Sequence, residues 1–178
     1  MPGTKKRKSS TSVPVMRFVA IFAALLGCFY GFVLVPCCDR VFYDYLTANA
    51  RIANVMLRWL AQDTHVSGVT IRSAQYAISI RRGCDAVDPA WFFCAAVLAF
   101  PSRWRRKLAI LPVGIALISA LNLVRIVSLY FIGLHLPRFF PTAHLELWPV
   151  IFIIVVLLLW IAWIRSILAE SQPSPNRA

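Results

Sequence analysis

LAILPVGIALISALNLVRIVSLYFIGL, residues 108–134, decides how this chain is to be read. The stretch exceeds the roughly 20 apolar residues that a helix needs to cross about 30 Å of hydrocarbon. It carries a single charge, Arg125. A central arginine costs roughly 2.5–3.5 kcal/mol on insertion scales, so such a residue usually faces a bundle interior or a functional cavity. At 1.5 Å per residue, Arg125 lies roughly 25 Å along the stretch, near one end. Asn122 precedes it by one helical turn and shares its face. Taken singly, Arg125 also fits a side chain snorkelling to headgroups, and Asn122 an amide that serves helix packing.

Working outward, the 178 residues are 60% hydrophobic, which departs from the composition of a soluble globular domain. Mean hydropathy is +0.70. Further apolar runs cover about 18–36, 86–100 and 147–168. The sequence therefore predicts an all-α polytopic membrane protein with about four transmembrane helices, in one membrane domain over 18–168. The first run follows Lys5, Lys6, Arg7, Lys8 and Arg17 in a basic segment, 1–17. No small-x-small cleavage site follows it, and Leu34-Val35-Pro36-Cys37 lacks the small residues of a lipoprotein signal, so it reads as an uncleaved helix. Arg103, Arg105, Arg106 and Lys107 form an acid-free loop between the second and third runs, and Arg165 lies near the end of the fourth. The bias of Lys and Arg toward the cytoplasm then places both termini inside. Outside fall Arg40, Arg51, Arg58, Arg72, Arg81, Arg82 and Arg138, and all but Arg138 lie in a longer segment where the bias weakens. Residues 169–178 form a Pro/Ser/Asn tail expected to be disordered. A net charge of +12 is accounted for by this topology and by anionic lipid headgroups, so the expected partner is the bilayer and not nucleic acid.

The outer segment, 37–84, divides by period. Over 43–60, apolar Leu46, Ala50, Ala53, Leu57 and Leu60 alternate with Asn49, Arg51, Asn54 and Arg58, as in an amphipathic helix on or near the membrane surface. Over 66–80 the period becomes two, with Val69 and Ile71 and then Tyr76, Ile78 and Ile80, as in a small β-hairpin. That hairpin leads through Arg81, Arg82 and Gly83 to Cys84, at the head of the second membrane helix. Asp85 can cap that helix, or Asp88 can cap it with Pro89 at its first position. A helix N-terminus with Arg81 and Arg82 nearby favours thiolate, and Asp85 and Asp88 oppose it. His144 opens the fourth helix, with Glu146 close enough in sequence to be considered for orienting its ring.

Individually, an inert cysteine, an interfacial histidine and a snorkelling arginine are the commoner outcomes. Jointly, Cys84, Arg125 and His144 fall at one membrane face on three helices. A cysteine nucleophile needs an acid/base within hydrogen-bond reach, and acyl transfer needs a donor for the developing oxyanion. Cys28 and Cys94 fall within helices and read as packing residues. Cys37 and Cys38 lie outside, where disulfides form, and a bridge from either to Cys84 would remove the nucleophile. His65 and His135 are also external, and His135 is the main rival to His144. No Cys/His pair has zinc-ligand spacing, so neither metal nor cofactor is expected. Two other classes stay open. One is a membrane assembly factor or transporter subunit pairing Arg125 with a partner's carboxylate. The other is a redox protein using Cys37, Cys38 and Cys84.

The order of strands, Cys84, basic inner loop, Asn122-Leu123-Val124-Arg125-Ile126 and His144 opening a final helix resembles the exosortase/archaeosortase family of membrane transpeptidases. The likeness covers about 43–160 and is that of a short form, similar to the exosortase H subgroup. It implies cleavage of the C-terminal sorting signal of exported proteins (a short motif, a membrane helix and a basic tail) and transfer of the protein to an anchor. It further implies Cys84 as nucleophile, His144 as acid/base and Arg125 as the third essential residue, with Asn122, Arg82 and Glu146 in support. The setting it implies is the bacterial cytoplasmic membrane, with the site on the extracytoplasmic face. The chain departs from the family's Cys-x-Gly in having Ala86 at the glycine position.

Overall fold

The computed structural model describes residues 12–33 and 39–170. In chain order it contains α1 (Ser12–Val33), α2 (Asp39–Trp59), β1 (His65–Ser67), β2 (Thr70–Arg72) and β3 (Ala77–Ser79). These are followed by α3 (Val87–Ala99), α4 (Trp104–His135), α5 (Phe140–Thr142) and α6 (Trp148–Glu170). Three stretches, Val15–Val33, Trp104–His135 and Pro137–Ala169, are long and apolar enough to cross a membrane. The protein is thus a polytopic all-α membrane protein with a small sheet. Cys37 and Cys38 lie outside the described residues; of the tail expected over 169–178, residues 169–170 continue α6 and 171–178 lie outside the described residues.

Of the four apolar runs expected as membrane helices, three are long enough to span, and the second forms the shorter apolar helix α3. Its 13 residues reach only about 20 Å, less than the hydrocarbon thickness. Both ends are fixed by local chemistry. Ala86 precedes it in the left-handed region, φ 59°. Phe100, before Pro101, is extended at ψ 135°, as the residue ahead of a proline prefers. Lys107 folds back and donates from Nζ to the Leu98 carbonyl at 2.6 Å, satisfying one orphan acceptor of the last turn. The residue expected as a loop charge is therefore buried, 7% exposed, as the C-terminal clasp of α3.

α3 sits centrally, packed on α1, α4 and α6. Trp91 stacks on Phe29 at 4.8 Å and donates from Nε1 to the Leu25 carbonyl of α1 at 3.2 Å. Phe93, fully buried, lies directly against Gly114 of α4. In lipid, where no hydrophobic drive holds helices together, a glycine that admits a large side chain this closely gives the van der Waals packing that does.

α4, at 32 residues, is about 48 Å long, so part of it must stand clear of the hydrocarbon. Its Ile126, Val127 and Tyr130 are enclosed by Leu46, Ala50, Ala53 and Leu57 of α2, by Ile71 of β2 and by Ile80 just after β3. The amphipathic helix expected over 43–60 begins earlier, at Asp39, and Leu46, Ala50, Ala53 and Leu57 on it cover α4. The expected hairpin is a three-stranded antiparallel sheet in the order β1-β2-β3. The added strand pairs Val66 with Ile71 across a two-residue turn in which Gly68 takes φ +60°. The segment between α4 and α6 is compact: a 3-10 turn (Pro137–Phe139) runs into α5, then into a π-helical turn (Ala143–Leu147) continuous with α6.

A methyl group at Gly114 would overlap the Phe93 ring, whereas none at Gly27 meets a neighbour. Gly114→Ala should destabilise the protein by about 1–3 kcal/mol through overpacking. A thermal melt in detergent should show a clear drop for it and little change for Gly27→Ala.

Candidate active site

Cys84 stands on a tight loop between the sheet and α3. Gly83 has φ +86° and Ala86 φ 59°, so two left-handed residues reverse the chain around the thiol. The Cys84 N–H donates to the Arg81 carbonyl at 3.0 Å. Asp85, 3% exposed, accepts the Val87 N–H through Oδ1 at 3.2 Å. Of the two capping schemes left open by the sequence, the Asp85 scheme is the one with a hydrogen bond to the helix start. Tyr45 of α2 donates its hydroxyl to the Asp85 carbonyl at 2.9 Å, tying the amphipathic helix to this loop. Burial pushes the Asp85 carboxyl above its ordinary value, opposed by its bond from Val87.

His144 reaches the thiol from the π-helical turn. Its Nε2 lies 3.3 Å from Cys84 Sγ, and Nδ1 lies 3.8 Å away. The wide turn re-aims the side chain relative to a regular helix, a feature frequent at functional sites. Phe140, one turn earlier, stacks on the imidazole at 5.6 Å with planes 13° apart and holds its orientation.

Arg125 completes the cluster from α4 and is 5% exposed. Nη1 donates to the Gly83 carbonyl at 3.5 Å and Nη2 to the His144 carbonyl at 3.4 Å. Each contact is at the long limit for a hydrogen bond. Together they brace the cysteine loop against the histidine turn through one rigid fork. The guanidinium also lies 5.6 Å from the centre of the Phe152 ring of α6. A cavity of about 260 Å³ opens over these groups, with Cys84, Arg125, His144, Ile126, Leu129 and Phe140 in its wall.

Burial raises the Cys84 thiol above its ordinary pKa of 9.0; the Arg125 charge pulls it down and Asp85 pushes it up. At neutral pH the pair is therefore a thiol beside an imidazole. The cation acting on the thiol is Arg125, not the expected Arg81 and Arg82. Arg82 forms an ion pair with Asp39 at the start of α2 and covers the Phe42 ring at 4.5 Å.

The supporting residues divide. Asn122 is fully buried, and neither amide atom has a hydrogen-bond partner among the described residues. Glu146 is exposed, and no hydrogen bond joins it to the His144 ring. His135 stacks on Phe131 at 6.2 Å, and His65 begins β1, so neither accompanies the thiol. Cys84 is a free thiol, as are Cys28 and Cys94. Sequence reasoning missed Phe140, Phe152 and Tyr45. Phe140 had a signal, being four residues before His144, but that signal requires knowing that the Pro-rich segment is helical.

Two outcomes follow. Alkylation of Cys84 by neutral iodoacetamide should accelerate with pH through a midpoint above 9.0, because its pKa is raised. Arg125→Ala removes the charge that favours thiolate and should move the midpoint higher, slowing alkylation at pH 8. A midpoint below 8 would instead indicate a preformed thiolate–imidazolium pair. Ala86→Gly relieves a left-handed alanine, worth about 1–2 kcal/mol before the entropy of the added glycine is subtracted. It should leave thermal stability equal or higher, while Ala86→Val should lower it.

The sequence model of the transmembrane exosortase family matches residues 15–161. No curated protein and no solved structure matches the chain. The family match takes in the cysteine loop, the arginine helix and the histidine turn, and the chain belongs to the transmembrane exosortase family.

Proposed function

We propose that this exosortase is a thiol transpeptidase that cleaves the C-terminal sorting signal of exported membrane-tethered proteins and passes the upstream chain to an acceptor nucleophile. The observation that carries the reading is the 3.3 Å approach of His144 Nε2 to Cys84 Sγ, braced by the buried Arg125. His144 takes the thiol proton as Cys84 Sγ attacks the carbonyl carbon of the scissile peptide bond. The negative charge gathered on the carbonyl oxygen is stabilised by the Arg125 guanidinium, whose field is strong where water is excluded. As the C–N bond breaks, the leaving amine takes the proton from His144, and the upstream chain remains as a thioester on Cys84. The acceptor then attacks that thioester, gives its proton to His144, and the C–S bond breaks. His144 finally returns the proton to the sulfur.

The membrane setting proposed is the bacterial cytoplasmic membrane, with both termini cytoplasmic and the site on the extracytoplasmic face. Arg103, Arg105 and Arg106 support it, because they cluster at the end of α4 opposite Cys84 and His144. A partner-pairing role for Arg125 would leave the 3.3 Å approach of His144 to Cys84 without a use. The redox alternative turns on Cys37 and Cys38, which lie outside the described residues; among the described residues the polar side chain against the thiol is an imidazole.

The test is a processing assay in the native host. The probe is an exported protein with a C-terminal apolar helix and basic tail whose maturation requires this gene product. Cys84→Ala should abolish the processed form with the enzyme's level unchanged, and His144→Ala should reduce processing about 10²–10⁴-fold, the range for loss of a general acid/base. Normal processing with Cys84→Ala would overturn the mechanism.

A further inference from the structure

A second cavity, about 530 Å³, lies beside the first. Its wall is built from α3 and α6, chiefly Phe92, Phe152, Ile153, Val156 and Leu157. Phe92, Ile153 and Leu157 are 41%, 59% and 51% exposed on helices of the apolar bundle, so the groove opens sideways toward lipid. Polar groups occur only at one end, where Asp88, Gly83 and Arg125 close it. Arg125 lines both cavities, so the groove ends at the guanidinium that braces Cys84 against His144.

We infer that this groove is the docking site for the transmembrane helix of the substrate, the apolar helix that follows the scissile bond. The inference rests on the transpeptidase reading above. Three features specify the occupant. It must be apolar along its length, because the wall between α3 and α6 is apolar and faces hydrocarbon. It must present a peptide group at one end, because there the groove meets the cavity that holds Cys84. It must begin its helix at that end: the first N–H groups of a helix lack internal partners and carry partial positive charge, and the Asp88 carboxylate lies where they emerge. A helix entering N-terminus first thus places its preceding carbonyl toward Arg125 and runs down the groove toward the end of the bundle that bears Arg105 and Arg106.

The experiment fills and then labels the groove. The probe is an exported reporter carrying the C-terminal segment of a protein whose processing requires Cys84. Leu157→Trp, inside the groove, should cut processing at least ten-fold and leave the iodoacetamide reactivity of Cys84 unchanged. Leu158→Trp, on the neighbouring lipid-facing position, should process normally. In a Cys84→Ala background, a benzophenone side chain replacing Ile153 should crosslink the reporter, with the adduct mapping within its C-terminal helix. If Leu157→Trp processes at the wild-type rate, or the Ile153 photoproduct is only lipid or a second copy of this chain, the docking site is wrong while the transpeptidase reading stands. If Cys84→Ala itself processes the reporter normally, both fall together.

Discussion

The guanidinium of Arg125 is the constraint on which the rest of the site depends. A buried cation in a membrane bundle is costly unless its donors are used. Here the two that are used hold carbonyls from two different segments, the loop before α3 and the turn before α6. Burial of one charge is thereby coupled to the approach of a thiol and an imidazole that no local structure would bring together. Neither bond is short, so the brace works through number and rigidity, with the Phe152 ring behind it. The same charge moderates the rise that burial imposes on the thiol, so geometry and reactivity share one source.

The remaining architecture serves that placement. α4 is long enough to carry Arg125 out to the level of the cysteine loop, and its protruding apolar face obliges the chain to supply a cover. α2 and the three-stranded sheet are that cover. Tyr45 and the Arg82–Asp39 pair then fasten α2 to the cysteine loop at two points. The left-handed alanine at position 86 fits the same logic, since the chain must reverse sharply between Cys84 and α3, in a conformation that glycine adopts without strain. Alanine at this position thus bears a modest strain that glycine would not.

Much of this was legible in the residues. Long apolar runs, the period change after Leu60 and an arginine within an apolar stretch identify a membrane bundle with a small outer layer. The basic clusters and the order of Cys84, Arg125 and His144 then bring three chemistry-bearing residues to one end of it. What could not be read depends on tertiary partners. Hydropathy over 86–100 counts apolar residues but does not register that Lys107 and Ala86 trim the helix at its two ends. Arg82 is adjacent in sequence to the thiol, yet Asp39, far away in sequence, claims it. Pro137 and Pro141 signal a loop, although each sits where a short helical turn can begin. The π-helical turn that aims His144 has no local sequence signature, and Glu146 lost its expected role once that turn directed it outward.

The most direct test of the account is the mass of the Cys84 peptide in enzyme recovered from cells expressing the reporter substrate while acceptor transfer is slowed. The thiol mechanism predicts that the upstream reporter chain is joined to Cys84, released by neutral hydroxylamine, and absent from Cys84→Ala. An unmodified Cys84 under conditions where cleavage still proceeds, or an adduct on another residue, would contradict it.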